Sequence, residues 1–98
     1  MIDWTSITGF QWDRGNFTKS VTKHGVTQFE AEQMFSNVPL LVVEDAAHGG
    51  EEMRFHALGH TDAGRLLHAS FTLRGQLIRP ISVRPMNKKE RIVYEKAD

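Results

Sequence analysis

The chain contains no cysteine. That excludes a disulfide framework, a cysteine zinc site and an iron–sulfur site, and fits a reducing compartment. No apolar run approaches the ~18–20 residues needed to span a bilayer. The opening residues, Met1-Ile2-Asp3-Trp4-Thr5, lack a basic region followed by an apolar stretch, so no secretory signal is expected. There is no glycine-rich phosphate loop, no Gly-x-Ser-x-Gly elbow and no set of paired carboxylates. The expectation is a cytoplasmic protein without a membrane association and without a cofactor.

What remains is ordinary globular composition. At 98 residues, 40% of them hydrophobic, the chain can build one modest core, so residues 1–98 are expected to form a single domain. Twelve basic and twelve acidic residues cancel, but unevenly along the chain. Residues 1–52 hold three Lys/Arg against eight Asp/Glu, a net −5, while residues 53–98 hold nine against four, a net +5. Six of the seven arginines fall in the second half. A polarised small domain can present a basic face to a polyanion. Packing that mixes the halves would cancel the dipole.

The pattern along the chain alternates short helical and extended segments. Residues 7–12 suggest a brief strand. Asp13 then reads as a helix N-cap, with Trp12 and Phe17 spaced as a hydrophobic staple. Phe17, Val21 and His24 define one helix face, and Gly25 suits a left-handed helix end. Thr27 and Glu30 form a capping box for a second helix that buries Ala31, Met34 and Phe35 and ends at Asn37 and Pro39. An apolar, β-branched strand follows over 38–43, then a polar loop over 45–52 containing Gly49-Gly50. Alternation predicts strands over 53–60, 65–74 and 77–84, the last two joined through Gly75-Gln76 as a hairpin. Asn87 and Glu90 cap a final helix over 88–96. The order β-α-α-β-β-β-β-α predicts an α+β domain, with N-terminal helices packed on an antiparallel sheet and a C-terminal helix. Phe17, Phe35 and Phe71 are expected in its core.

The hairpin carries much of the polar chemistry. In strand 65–74 one face bears Leu67, Ala69, Phe71 and Leu73, and the other bears His68, Ser70, Thr72 and Arg74. Arg79 shares that polar face across the hairpin. Unbroken alternation puts Ser82 on the opposite face with Ile78, whereas a bulge at Pro80, which has no N–H for the ladder, would flip it. The final helix adds Lys88, Lys89, Arg91 and Tyr94. The five histidines include one four-residue gap, His56 to His60, but it falls in a strand rather than a helix, so no metal site is expected.

Several runs together resemble the BrnT toxins. They are Trp12-Asp13, Lys23-His24-Gly25-Val26, Phe29-Glu30-Ala31-Glu32, Arg54-Phe55-His56-Ala57-Leu58-Gly59 and Gly64-Arg65-Leu66-Leu67. Phe71-Thr72-Leu73-Arg74, Ile78-Arg79-Pro80-Ile81-Ser82-Val83-Arg84 and Glu90-Arg91…Tyr94-Glu95 complete the set. The resemblance covers nearly the whole chain in order. It implies a RelE-like fold and a toxin of a type II toxin–antitoxin module, an endoribonuclease that stops translation. The implied partner is a BrnA-like ribbon-helix-helix antitoxin, through which alone the complex would touch operator DNA. Arg65, Arg74, Arg79, Arg84, Glu90 and Tyr94 carry over as catalytic candidates, and His68, Ser82, Lys88, Lys89 and Arg91 as RNA-binding candidates. The chain departs from the family's pattern at His68, where an apolar residue is more usual, and at Pro80.

Metal-free RNA cleavage needs a base for the ribose 2′-hydroxyl, positive charge for the dianionic phosphorane and a proton for the leaving 5′-oxygen. Arginine clamps phosphate through two parallel N–H bonds. Glu90 is the formal base candidate, with Tyr94 or His68 as alternatives, and in-line positioning alone supplies part of the rate. The competing reading is a non-catalytic RNA- or antitoxin-binding module acting in operon autoregulation.

Overall fold

In the computed structural model, which describes residues 2–45 and 52–97, five strands form one mixed sheet. The strands are β1 (Gly9–Phe10), β2 (Leu41–Asp45), β3 (Arg54–His60), β4 (Leu66–Arg74) and β5 (Leu77–Pro85), in the order β1-β5-β4-β3-β2. β2 to β5 run as an antiparallel meander. The expectation of a wholly antiparallel sheet is corrected by β1, which pairs parallel to β5 through Gly9–Leu77 and Phe10–Ile78. A helical crossover and the meander separate β1 from β5 in sequence, so a hairpin turn does not dictate their direction.

Helix α1 (Arg14–Phe17) continues into a π-helical stretch (Thr18–Lys23). Asp13 caps it, its carboxylate accepting from the N–H groups of Gly15 and Asn16. Gly25, at φ 66°, ends this helical segment, and α2 (Gln28–Met34) opens on the expected Thr27–Glu30 capping box. Gly75 (φ 61°) makes the two-residue β4–β5 connection. Of the polar loop expected over 45–52, residues 46–51 lie outside the described residues, and Asp45 belongs instead to β2, paired with Arg54.

The core lies on one sheet face. Phe55, Ala57, Leu67, Ala69, Phe71, Ile78 and Val83 face Val26, Ala31 and Met34. Phe71 is fully buried, edge-on to Phe35 at 5.1 Å and stacked on Phe55 at 5.4 Å between ring centres. β3 passes close under α2: a Cβ on Gly59 would lie 3.0 Å from the Met34 carbonyl oxygen. Phe35 packs partly buried against the core, but Phe17 is 42% exposed, contrary to expectation. The face that α1 and its π-helical extension turn inward is polar. Asn16 Nδ2 donates to Pro80 O (2.7 Å) and Gln11 O (3.0 Å), and Ser20 Oγ accepts from Val83 N (3.0 Å). These buried side chains satisfy β5 beyond the short β1, where a ladder partner ends. That need outweighs burial of Phe17.

Candidate functional site

The second sheet face is polar, and its geometry follows from one irregularity. Phe71 pairs with Pro80 and Ser70 with Ser82, leaving Ile81 as the extra residue of a bulge. The bulge sits beside the proline that cannot donate to the ladder. It returns Ser82 and Arg84 to the face of Arg79, correcting the assignment of Ser82 to the Ile78 face. Three cross-strand rows result, running from β2 to β5: Asp45–Arg54–Thr72–Arg79, Val43–His56–Ser70–Ser82 and Leu41–Leu58–His68–Arg84.

Helix α3 (Lys88–Glu95) closes one end of this face. The Asn87–Glu90 capping box forms as expected, and the same Glu90 carboxylate takes both arms of the Arg84 fork, Nη1 at 2.8 Å and Nη2 at 2.9 Å. Hydrogen bonding from Arg84 is the main reason that the Glu90 carboxyl is held down at about 2, with the Asn87 N–H adding to it. Glu90 is therefore a fixed anion. His68 Nε2 lies 4.0 Å from its Oε2. Burial, reinforced by the Arg84 charge, lowers His68 to about 4, so this imidazole is neutral at physiological pH. Behind it, His56 Nδ1 meets His68 Nε2 at 3.2 Å and Ser70 Oγ at 3.1 Å, and His56 Nε2 meets Asp45 Oδ2 at 2.7 Å. Asp45, His56, His68, Glu90 and Arg84 thus form one connected line of polar groups.

The structure brings Arg84, Glu90, His68 and Ser82 together but spreads the other candidates. Arg79 lies on the same face with its guanidinium turned to Asp13 Oδ2 (2.8 Å) and Gln11 (3.3 Å). Arg74, at the hairpin end, pairs with Glu52 at 2.7 Å. Arg65 reaches to α2, where it binds Glu30 (3.1 Å) and Gly25 O (3.0 Å). Three arginines of the basic half therefore meet carboxylates of the acidic half, and much of the sequence dipole cancels internally. Lys88, Lys89 and Arg91 are exposed on α3. Tyr94 is buried; its hydroxyl donates to Pro39 O at 2.6 Å and lies 2.7 Å from His60 Nδ1, tying α3 to the start of β2 and the end of β3.

Neither the sequence pattern nor the family resemblance singles out Asp45, His56 or Ser70 as a functional residue. Alternation placed Ser70 on the polar face of its strand, but only the β3–β4 register makes it a neighbour of His56. Among the described residues, no group of three or more His, Asp or Glu side chains is arranged to hold a metal ion, and no helix is long and apolar enough to cross a membrane.

A family model for the ribonuclease toxin BrnT of type II toxin–antitoxin systems matches residues 12–90. The chain belongs to the BrnT family. That span takes in the polar face from β2 to β5, the capping box and Glu90, so the connected line of polar groups lies within the BrnT domain. No match was found among the curated proteins.

Proposed function

We propose that this BrnT chain is a metal-independent endoribonuclease of RelE-like fold, cytoplasmic, that inhibits translation and is neutralised by a BrnA-like ribbon-helix-helix antitoxin. Operator DNA would be met only through that antitoxin. The observation that carries the reading is the neutral His68 imidazole set beside an Arg84 fork fixed by Glu90. RNA phosphate docks against Arg84, with Ser82 and the exposed Lys88, Lys89 and Arg91 contacting the neighbouring backbone, and Arg79 at the far end of the face. His68 accepts the 2′-hydroxyl proton as the 2′-oxygen bonds to phosphorus and the bond to the 5′-oxygen breaks. Arg84 offsets the phosphorane charge. The 5′-oxygen takes a proton from water and the imidazole returns its own to solvent, leaving a 2′,3′-cyclic phosphate and a 5′-hydroxyl. The Asp45 and Glu90 carboxylates face an imidazole and a guanidinium, which suits them to positioning rather than to binding a cation.

Glu90, held at about 2, is too weak a base for this step and serves by orienting Arg84. Arg65, Arg74 and Tyr94, each engaged elsewhere in the fold, support the scaffold.

Expression of the chain alone and together with the antitoxin gene of its operon tests the biological reading. Growth arrest by the chain alone, new RNA 5′ ends in the arrested cells and rescue by the antitoxin are expected. Unimpaired growth with RNA bound but uncut would favour the non-catalytic module instead.

A further inference from the structure

We propose that Asp45 and His56 are positioning residues for His68, forming a carboxylate–imidazole–imidazole line that takes over the proton His68 removes from RNA. This rests on the reading of His68 as the base. The difficulty it resolves is local. Burial and the Arg84 guanidinium both oppose positive charge on the His68 ring, so His68 can accept a proton but holds it poorly. The geometry supplies a second place for it. His56 Nε2 lies 2.7 Å from the Asp45 carboxylate, which fixes the neutral ring with its proton on Nε2 and its lone pair on Nδ1. That lone pair faces His68 Nε2 at 3.2 Å.

The proton count is simple. On taking the substrate proton, His68 carries N–H on both nitrogens. The Nε2 proton crosses to His56 Nδ1, and His68 is neutral again. The positive charge then resides on His56, in contact with Asp45 rather than beside Arg84. A carboxylate stabilising the imidazolium it orients is an established device for such a ring. Ser70 Oγ, 3.1 Å from His56 Nδ1, donates to the neutral ring and accepts from the charged one. The side chains of Asp45 and His68 are only 14% and 13% exposed, so solvent screens little of this interaction. The groups facing the pair are Asp45 from β2, Arg54 from β3, Ser70 from β4, Ser82 and Arg84 from β5, and Glu90 from α3. Of these carboxylates, Glu90 binds the Arg84 fork and Asp45 is the one in contact with His56, at 2.7 Å.

Single-turnover RNA cleavage across pH separates positioning from a merely structural role. In Asp45→Asn, the acid limb of the rate profile should move to lower pH by about one unit, because an opposite charge close to an imidazolium favours it. The plateau rate should fall at least ~10-fold, with KM unchanged. His56→Gln, which fills the space but cannot carry the proton, should lower the rate further. His68→Gln should abolish cleavage. If His68→Gln is inactive while Asp45→Asn and His56→Gln keep the wild-type rate and profile, the inference is wrong and the assignment of His68 stands. Full activity of His68→Gln overturns both. A readout independent of the variants' folding is the ring 15N spectrum of the wild-type protein: the neutral His56 ring should carry its proton on Nε2, facing Asp45, and a proton on Nδ1 instead would overturn the pairing.

Discussion

Replacing Glu90 with Gln separates a base from an anchor. Glu90 Oε1 accepts from Asn87 N (2.9 Å) and Arg84 Nη1 (2.8 Å), and Oε2 accepts from Arg84 Nη2 (2.9 Å). Gln at this position keeps the cap, since its carbonyl oxygen can still accept from Asn87 N. Its amide nitrogen is a donor, however, and faces the second arm of the Arg84 fork, which is also a donor. The loss is one charge-assisted bond and one charge pair that is partly open to solvent, for which about 1–2 kcal/mol is expected. In a domain of this size that lowers Tm by roughly 4–12 °C at pH 7. The sign with pH follows from the depressed carboxyl. The Arg84 fork holds Glu90 at about 2 in the folded chain against an ordinary value of 4.5, so its contribution is fully present above 4.5 and is lost as pH falls towards 2. The stability gap between wild type and Glu90→Gln should therefore close between pH 5 and pH 2. Urea unfolding at a series of pH values measures it. Cleavage should fall about tenfold through loosening of Arg84, with the acid limb of the rate profile kept but moved to lower pH, because the Glu90 charge 4.0 Å from His68 favours its imidazolium. A stability gap that persists at pH 2, or loss of the acid limb, would refute this reasoning and return Glu90 to the role of base.

Other expected outcomes are simpler. Phe71→Ala should cost about 3–5 kcal/mol in chemical denaturation and Phe17→Ala less than about 1 kcal/mol, because only Phe71 is fully buried. Gly59→Ala should destabilise by about 1–3 kcal/mol, as the new methyl meets the Met34 carbonyl oxygen at 3.0 Å. Arg65→Ala should leave the rate of RNA cleavage within about twofold of wild type and shift stability by no more than about 1 kcal/mol, since its partner Glu30 lies at α2 rather than on the polar face. Asn87→Ala should cost about 1 kcal/mol through loss of the α3 cap, visible as a lower Tm.

Local signals in the sequence located the elements well. The caps at Asp13, Thr27 and Asn87, the helix end at Gly25 and the turn at Gly75 are each set by a few adjacent residues, and each appears where those residues place it. Long-range decisions were less legible. The inward turn of Asn16 and Ser20 instead of Phe17 is set by unpaired backbone on β5, which lies more than sixty residues away. The face carrying Ser82 depended on whether Pro80 caused a bulge, and only pairing with Phe71 and Ser70 decides that. The charge count suggested a basic face, yet Arg65, Arg74 and Arg79 each find an acidic partner from the other half. Arg84 and Glu90 were candidates through the resemblance to the BrnT toxins, and the Asn87–Glu90 cap was legible locally, but their pairing was not. Nor was the line from His68 back to Asp45, because it spans three strands whose register the sequence leaves open.

RNA cleavage in EDTA by purified wild type, Arg84→Lys and Arg84→Ala tests the site most directly. The wild type should cut end-labelled RNA without added metal, leaving 5′-hydroxyl and 2′,3′-cyclic phosphate ends. Arg84→Ala should be slower by about 10²–10³-fold, as for loss of a preorganised donor to developing charge. Arg84→Lys should fall between, because lysine keeps the charge without the planar fork that Glu90 holds. Equal cleavage by all three proteins, or cleavage by the wild type only when a divalent metal is supplied, would contradict the assignment of Arg84 and the metal-free reaction.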